Sequence, residues 1–274
     1  MALDAALDLI RRLPPSKLEN NLADLVDLAP EVQEDLLSAV DQPLQLQRDA
    51  SGREFLTCDY NRDGDSYRSP WTNEFVPPLR DGVVPSARLR AIEELANSAF
   101  DAYRAQYYDS GVSSTYLWDL EHDANFAACV LFRKDAMGIS RDARGEGRWD
   151  ALHVFEVKGG SKGSAVYKLT STIMLSILTP DAGKMHVAGM ITRQSEREEV
   201  AGSARQHVIN MGKQLEELEI QMRHALVHVY FGKLAEVFSH LRNFESGSGE
   251  VKQQHGALQA SLAAALSARG GPAE

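Results

Sequence analysis

The chain has 274 residues, and its 29 Lys and Arg against 39 Asp and Glu give a formal charge of −10, which argues against broad binding to a phosphate backbone and makes nucleic acid an unexpected partner. Its 43% hydrophobic content is enough for one large or two small cores. Two cysteines, Cys58 and Cys129, exclude a disulfide framework and point to a reducing cytoplasmic setting.

Leu3, Leu7, Ile10 and Leu13 share one helical face, which Pro14-Pro15 ends. Asp4 and Asp8 fall inside this pattern, unlike the apolar core of an export signal, and the longest apolar run, Phe126 to Phe132, is too short to span a bilayer. Neither export nor membrane anchoring is expected. Ser16 with Glu19 reads as a capping box opening a second helix with Leu18, Leu22, Leu25 and Val26. Pro30 suits the first turn of a third helix, with Glu31, Glu34 and Asp35 at the positive end of its dipole and Val32, Leu36 and Val40 behind. Pro43 ends it, so residues 1–43 read as a bundle of three short antiparallel helices.

Residues 44–111 read as an irregular connector rich in Asp, Arg, Pro and Gly, with one strand at Glu54–Cys58. It closes on a helix that Ser86 caps, running through Leu89, Ile92, Leu95, Phe100, Tyr103 and Tyr107 and stopping near Gly111. The apolar period then changes from 3.6 to 2. Strands are expected at Ser114–Leu120, Asn125–Lys134, Trp149–Lys158, Ser164–Thr179 and Lys184–Gln194. The turns between them, such as Gly159-Gly160-Ser161-Lys162-Gly163, are of hairpin length, so residues 112–195 predict a five-stranded antiparallel meander.

Residues 196–245 predict one long helix. Val208, Met211, Leu215, Leu218, Met222, Ala225 and Val229 recur at steps of three and four, and Ile220, Val227, Phe231, Leu234, Phe238 and Leu241 form a second stripe beside them. From Ser203 to Phe244 such a helix is about 60 Å long, whereas five strands make a sheet only about 24 Å wide. An open edge strand is a template for another chain. The mismatch therefore implies an obligate partner that extends the sheet and covers the second stripe.

In residues 246–274, Gly247-Ser248-Gly249 breaks the helix, and Ala257, Leu258, Ser261, Leu262, Ala265 and Leu266 follow at helical spacing until Gly270-Gly271-Pro272. So short a helix is marginal alone, which leaves docking on its own domain or folding against a partner. The Gly-Ser joint favours the partner.

Asp59-x-Asn61-x-Asp63-Gly64-x-Ser66 imitates the first half of a calcium loop, but its twelfth position is Pro70 where a bidentate Glu is needed. The loop reads instead as Asx turns, with Arg62 and Arg68 as counter-ions. His224 and His228 have the spacing of a helical metal pair without a third ligand, and read as packing residues. Gly159 to Ser164 lacks the order of a phosphate loop, there is no G-x-S-x-G, and neither cysteine has an adjacent acid–base partner. Nothing in the pattern argues for an enzyme, a metal or a cofactor.

Several runs carry a resemblance: Leu9-Ile10-Arg11-Arg12-Leu13-Pro14-Pro15, Asp41-Gln42-Pro43-Leu44, Cys58-Asp59-Tyr60-Asn61-Arg62-Asp63-Gly64-Asp65-Ser66-Tyr67-Arg68-Ser69-Pro70-Trp71, Pro85-Ser86-Ala87-Arg88-Leu89-Arg90, Tyr116-Leu117-Trp118-Asp119, Tyr167-Lys168-Leu169-Thr170-Ser171-Thr172 and Tyr230-Phe231-Gly232-Lys233. In this order they are similar to the β subunit of F-actin capping protein. The resemblance implies an α+β fold with a three-helix bundle, a five-stranded sheet joined to that of an α subunit in a ten-stranded whole, a long helix across it, and an amphipathic C-terminal tentacle. It further implies an obligate heterodimer that caps the barbed end of the actin filament, blocking subunit gain and loss without catalysis, calcium or a cofactor, in the cytoplasm and cytoskeleton. The family also caps the actin-related filament of dynactin, and a scaffold role there is the alternative.

The resemblance assigns actin binding in the tentacle to Leu258, Leu262, Ala265 and Leu266. Arg269 is the one basic residue from Ala257 on, where relatives tend to carry several. It assigns heterodimer helix packing to Leu215, Leu218, Met222, Val229 and Phe231, phosphoinositide contact to Arg223, and capping-protein-interaction peptides to the neighbourhood of Arg12, Asp41 and Asp59.

Overall fold

A computed structural model describes residues 2–10, 13–14, 17–33, 36, 43–120, 124–137, 146–160, 163–179 and 185–228. Residues 1–222 form one compact unit and residues 223–274 a second. Of the second, the described residues are 223–228.

The chain opens with helices α1 (Ala2–Ile10) and α2 (Leu18–Leu28) and a 3-10 turn at Pro30–Val32. The apolar faces expected from their spacing meet: Ala6, Ile10, Leu18, Leu22, Leu25 and Leu36 form one buried cluster, with Leu3, Leu7 and Val26 against it. The N-cap of α2 is Lys17, with no side-chain cap bond, one residue later than the box expected at Ser16. The third helix of the expected bundle falls mostly outside the described residues; its start is the 3-10 turn, with Pro30 at the first position.

The connector holds more strand than its composition suggested. Strands β1 (Gln45–Arg48) and β2 (Glu54–Thr57) pair as a hairpin, and β3 (Arg62–Asp63), β4 (Ser66–Arg68) and β5 (Phe75–Val76) make a small antiparallel sheet. Helix α3 (Ala87–Tyr107) follows, its Ser86 hydroxyl accepting the Leu89 N–H as expected of the cap.

The meander is present: β6 (Val112–Asp119), β7 (Phe126–Met137), β8 (Glu146–Gly159), β9 (Ser164–Thr179) and β10 (Met185–Val200) lie in chain order, each antiparallel to the next. The last strand overruns its expected end at Gln194. Residues 196–200 are strand, not the start of the long helix, because Glu196 pairs with Lys168, Arg197 with Tyr167 and Val200 with Ser164. Helix α4 begins only at Ala204 and is described to Leu226.

Alternating side chains give the sheet two covered faces. On one, Tyr116, Cys129, Leu131 and Leu152 pack with Leu44 and Leu56 of the connector, and Met190 of β10 meets the N-terminal cluster. On the other lie α3 and α4: Phe100 packs edge-on to Phe132, and the Tyr167 hydroxyl meets His207 Nδ1 at 2.7 Å. No described helix is long and apolar enough to cross a membrane.

Candidate functional site

The two edges of the sheet differ. Among the described residues, strand β10 pairs with β9 on one side and has no strand on the other. Strand β6 likewise has a single strand neighbour among the described residues, but side chains of α3 take three of its outward groups: Asn97 accepts the Thr115 N–H at 2.9 Å and donates to the Thr115 carbonyl at 2.8 Å, and Glu93 accepts the Leu117 N–H at 2.7 Å. Glu93 is in turn held by Arg68 and Arg90. From the opposite face the connector closes in, with Leu56 N–H donating to Ser114 Oγ and the Tyr116 hydroxyl donating to the Leu56 carbonyl.

Beside the open edge lies α4. Its buried seam is the one the spacing predicted: Val208, Met211, Leu215, Leu218 and Met222 are all buried. Polar pins fix it. Gln214 donates to the carbonyls of Tyr167 and Ser195, Arg197 pairs with Glu217, and the buried Glu219 accepts from the hydroxyls of Tyr103 and Tyr108. Burial holds the His207 imidazole below its ordinary pKa, and Arg88 adds to the effect. Two large apolar side chains of this helix stand open, Ile209 at 41% exposed and Ile220 at 45%, and Val227, one residue past its end, is 59% exposed. Ile220 and Val227 belong to the second stripe read from the sequence; Ile209 was missed, because one turn further on the pattern meets Lys213.

The expected site residues fall unevenly. Leu215, Leu218 and Met222, assigned to packing between subunits, are buried in this chain, while Ile209 and Ile220 of the same helix are exposed. Arg223 is half-buried near the end of α4, and Asp59 is exposed at the start of a 3-10 turn. Arg12, Asp41, Val229, Phe231, Leu258, Leu262, Ala265, Leu266 and Arg269 lie outside the described residues.

The Asp59 loop is organised by Asn61 more than by its carboxylates: Asn61 accepts the Cys58 N–H and donates to the carbonyls of Leu56 and Arg68. Arg62 donates to the Gly64 carbonyl, while Arg68 points away from the loop acids to Glu93, a correction to the counter-ion role expected of it. His224 and His228 are exposed, not packing residues within the chain. Among the described residues no three His, Cys, Asp or Glu side chains gather to hold a metal.

These features define an antiparallel α+β protein whose central sheet, among the described residues, is closed at one edge and open at the other, beside a helix with exposed apolar residues. A family model described as F-actin capping protein, beta subunit, matches residues 3–238, and the chain belongs to that family. It is 49% identical over 270 residues to the F-actin-capping protein subunit beta of Drosophila melanogaster, covering 97% of this chain and 95% of that one. It is 48% identical to the protein of the same name from Dictyostelium discoideum, covering 98% of each, and 46% to that of Caenorhabditis elegans, covering 92% of each. The fold is shared with the homodimeric actin capping protein alpha subunit from Plasmodium berghei, at a TM-score of 0.55 and 15% identity over 86% of this chain and 94% of that one.

Proposed function

We propose that this chain is the β subunit of a heterodimeric actin-capping protein, which binds the barbed end of the filament and blocks subunit addition and loss there. The observation that carries the reading is the open edge of β10, sixteen residues long, next to the apolar stripe of α4. An α chain of the same fold would add its own sheet to β10 and lay its long helix over Ile209 and Ile220, satisfying backbone groups and covering apolar surface in one step. The names of the relatives agree, since each is a subunit of an F-actin-capping protein.

The tail, residues 246–274, supplies a further contact with actin in this reading. Leu258, Leu262 and Leu266 with Ala265 would enter an apolar cleft of actin, and Arg269 would add a single charge. Three buried leucines contribute roughly 1.5–3 kcal/mol each before ordering costs, which aids binding without accounting for all of it. A basic surface, largely on the α subunit, is left to supply the main anchor, consistent with a charge of −10 on this chain and an acidic filament. No calcium, metal or cofactor takes part, and the cytoplasmic cytoskeleton is the setting.

The test is co-expression with the cognate α chain and purification of the complex, followed by elongation from barbed-end seeds. A 1:1 complex that stops elongation without calcium is expected. A complex that leaves elongation untouched would refute the reading.

A further inference from the structure

We propose that Glu93 and Asn97 seal the β6 edge against strand addition, so that the sheet grows only at β10 and assembly stops at two chains. This rests on the reading that a partner strand adds to β10.

The seal is a match of two periods. Along α3, Glu93, Asn97 and Asp101 follow one another a turn apart, a step of about 6 Å. Along β6, residues 117, 115 and 113 point the same way, a step of about 6.6 Å. Helix and strand run in opposite directions, so three successive turns address three successive outward residues: Glu93 the Leu117 N–H, Asn97 the Thr115 N–H and carbonyl, Asp101 the Ser113 hydroxyl. Asn97 takes both groups that a neighbouring strand residue would take.

Glu93 is 0% exposed and Asn97 2%, so the seal is dry. A carboxylate buried with two guanidiniums stabilises a fold little better than apolar side chains of the same volume. What the ion network does supply is an acceptor fixed opposite a strand N–H. A chain with two free edges could pair at both and build an unending sheet; closing one converts the same chain into half of a closed dimer.

The experiment uses the full-length heterodimer carrying Asn97→Leu, close in volume but without either bond, with Asn97→Ala as the alternative if that variant does not fold. Amide exchange at Thr115 should quicken roughly tenfold for the loss of one net hydrogen bond, and light scattering should show species heavier than 1:1 that grow with protein concentration. A folded variant whose Thr115 exchange is unchanged, or which stays 1:1 at every concentration, overturns the proposal. If the unsubstituted chains form no 1:1 complex at all, the β10 reading fails instead, and slow Thr115 exchange in the unsubstituted chain still reports the seal.

Discussion

The Arg68 guanidinium grips both oxygens of the Glu93 carboxylate, Nη1 on Oε1 and Nη2 on Oε2, each at 2.8 Å and both side chains out of water. The pair joins β4 of the connector to the second turn of α3, and through the Leu117 N–H to β6. Arg90 meets the same carboxylate from nearer the surface while also donating to the carbonyls of Pro70 and Trp71.

Removing one partner of a buried pair costs more than the pair contributes, because the remaining charge stays desolvated. Arg68→Met is therefore expected to lower stability by about 3 kcal/mol, read as a shift in denaturation midpoint of the complex. Arg90→Met should cost less, its guanidinium being closer to water. Equal effects would mean that Glu93 is held by the two arginines alike.

A second buried carboxylate carries a pH dependence. Asp150 on β8 faces its cross-strand neighbour Arg133, with Arg148 and Asp135 close by and a backbone bond from Leu44, yet its Oδ1 has no hydrogen-bond partner among the described residues. Burial pushes its pKa up to about 7 against the pull of the two arginines. Unfolded, the group titrates near 3.8, so between these values the folded chain holds the extra proton. Stability from this group is complete below the unfolded pKa and is lost as pH rises through 7. Asp150→Asn should therefore melt higher than the unsubstituted protein at pH 8, and the gap should close towards pH 5. A gap that widened in acid would reverse the sign and refute the assignment.

The open stripe of α4 offers a separation of folding from assembly. Ile220 is exposed in the chain alone, so Ile220→Asp should change the stability of the chain's own fold by no more than about 0.5 kcal/mol. Beneath a partner helix the same charge would be desolvated without a counter-ion, and the heterodimer should dissociate at least roughly tenfold more readily. Subunit exchange with a labelled α chain measures this. A heterodimer indifferent to Ile220→Asp and Ile209→Asp would show that the stripe is not covered by the partner.

How far the sequence revealed this molecule depended on where each residue's partner lies. The α4 seam and the N-terminal faces were legible because burial on a helix leaves its period in the chain, and Val208, Met211 and Leu215 are buried as their spacing required. The meander was legible in the same way. The end of β10 was not: Ser195-Glu196-Arg197-Glu198-Glu199 has helix-forming composition, and only pairing with β9 makes it strand, an instance of tertiary contact overriding local preference. Strands β1, β3, β4 and β5 are too short to show a period. Glu93 and Asn97 read as ordinary polar positions of a surface helix, since nothing local marks the β6 amides they serve or the Arg68 that lies 25 residues earlier.

The tail is tested by what it should leave unchanged. Removing residues 256–274 deletes the Leu258, Leu262 and Leu266 face and no residue of the sheet, the α3 seal or the α4 seam, so the heterodimer is expected to form and melt as before. Its hold on the barbed end should weaken through faster release, because a short amphipathic segment that folds on its target acts mainly to lengthen residence. Leu262→Arg should reproduce much of the loss, since it sets a charge in the middle of the apolar face, whereas Arg269→Ala should do little, an exposed single charge contributing at most about 1 kcal/mol. Dissociation rates from capped filaments decide between these. Release unchanged by both the deletion and Leu262→Arg would detach the tail from capping altogether, and a large effect of Arg269→Ala alone would make its contact electrostatic.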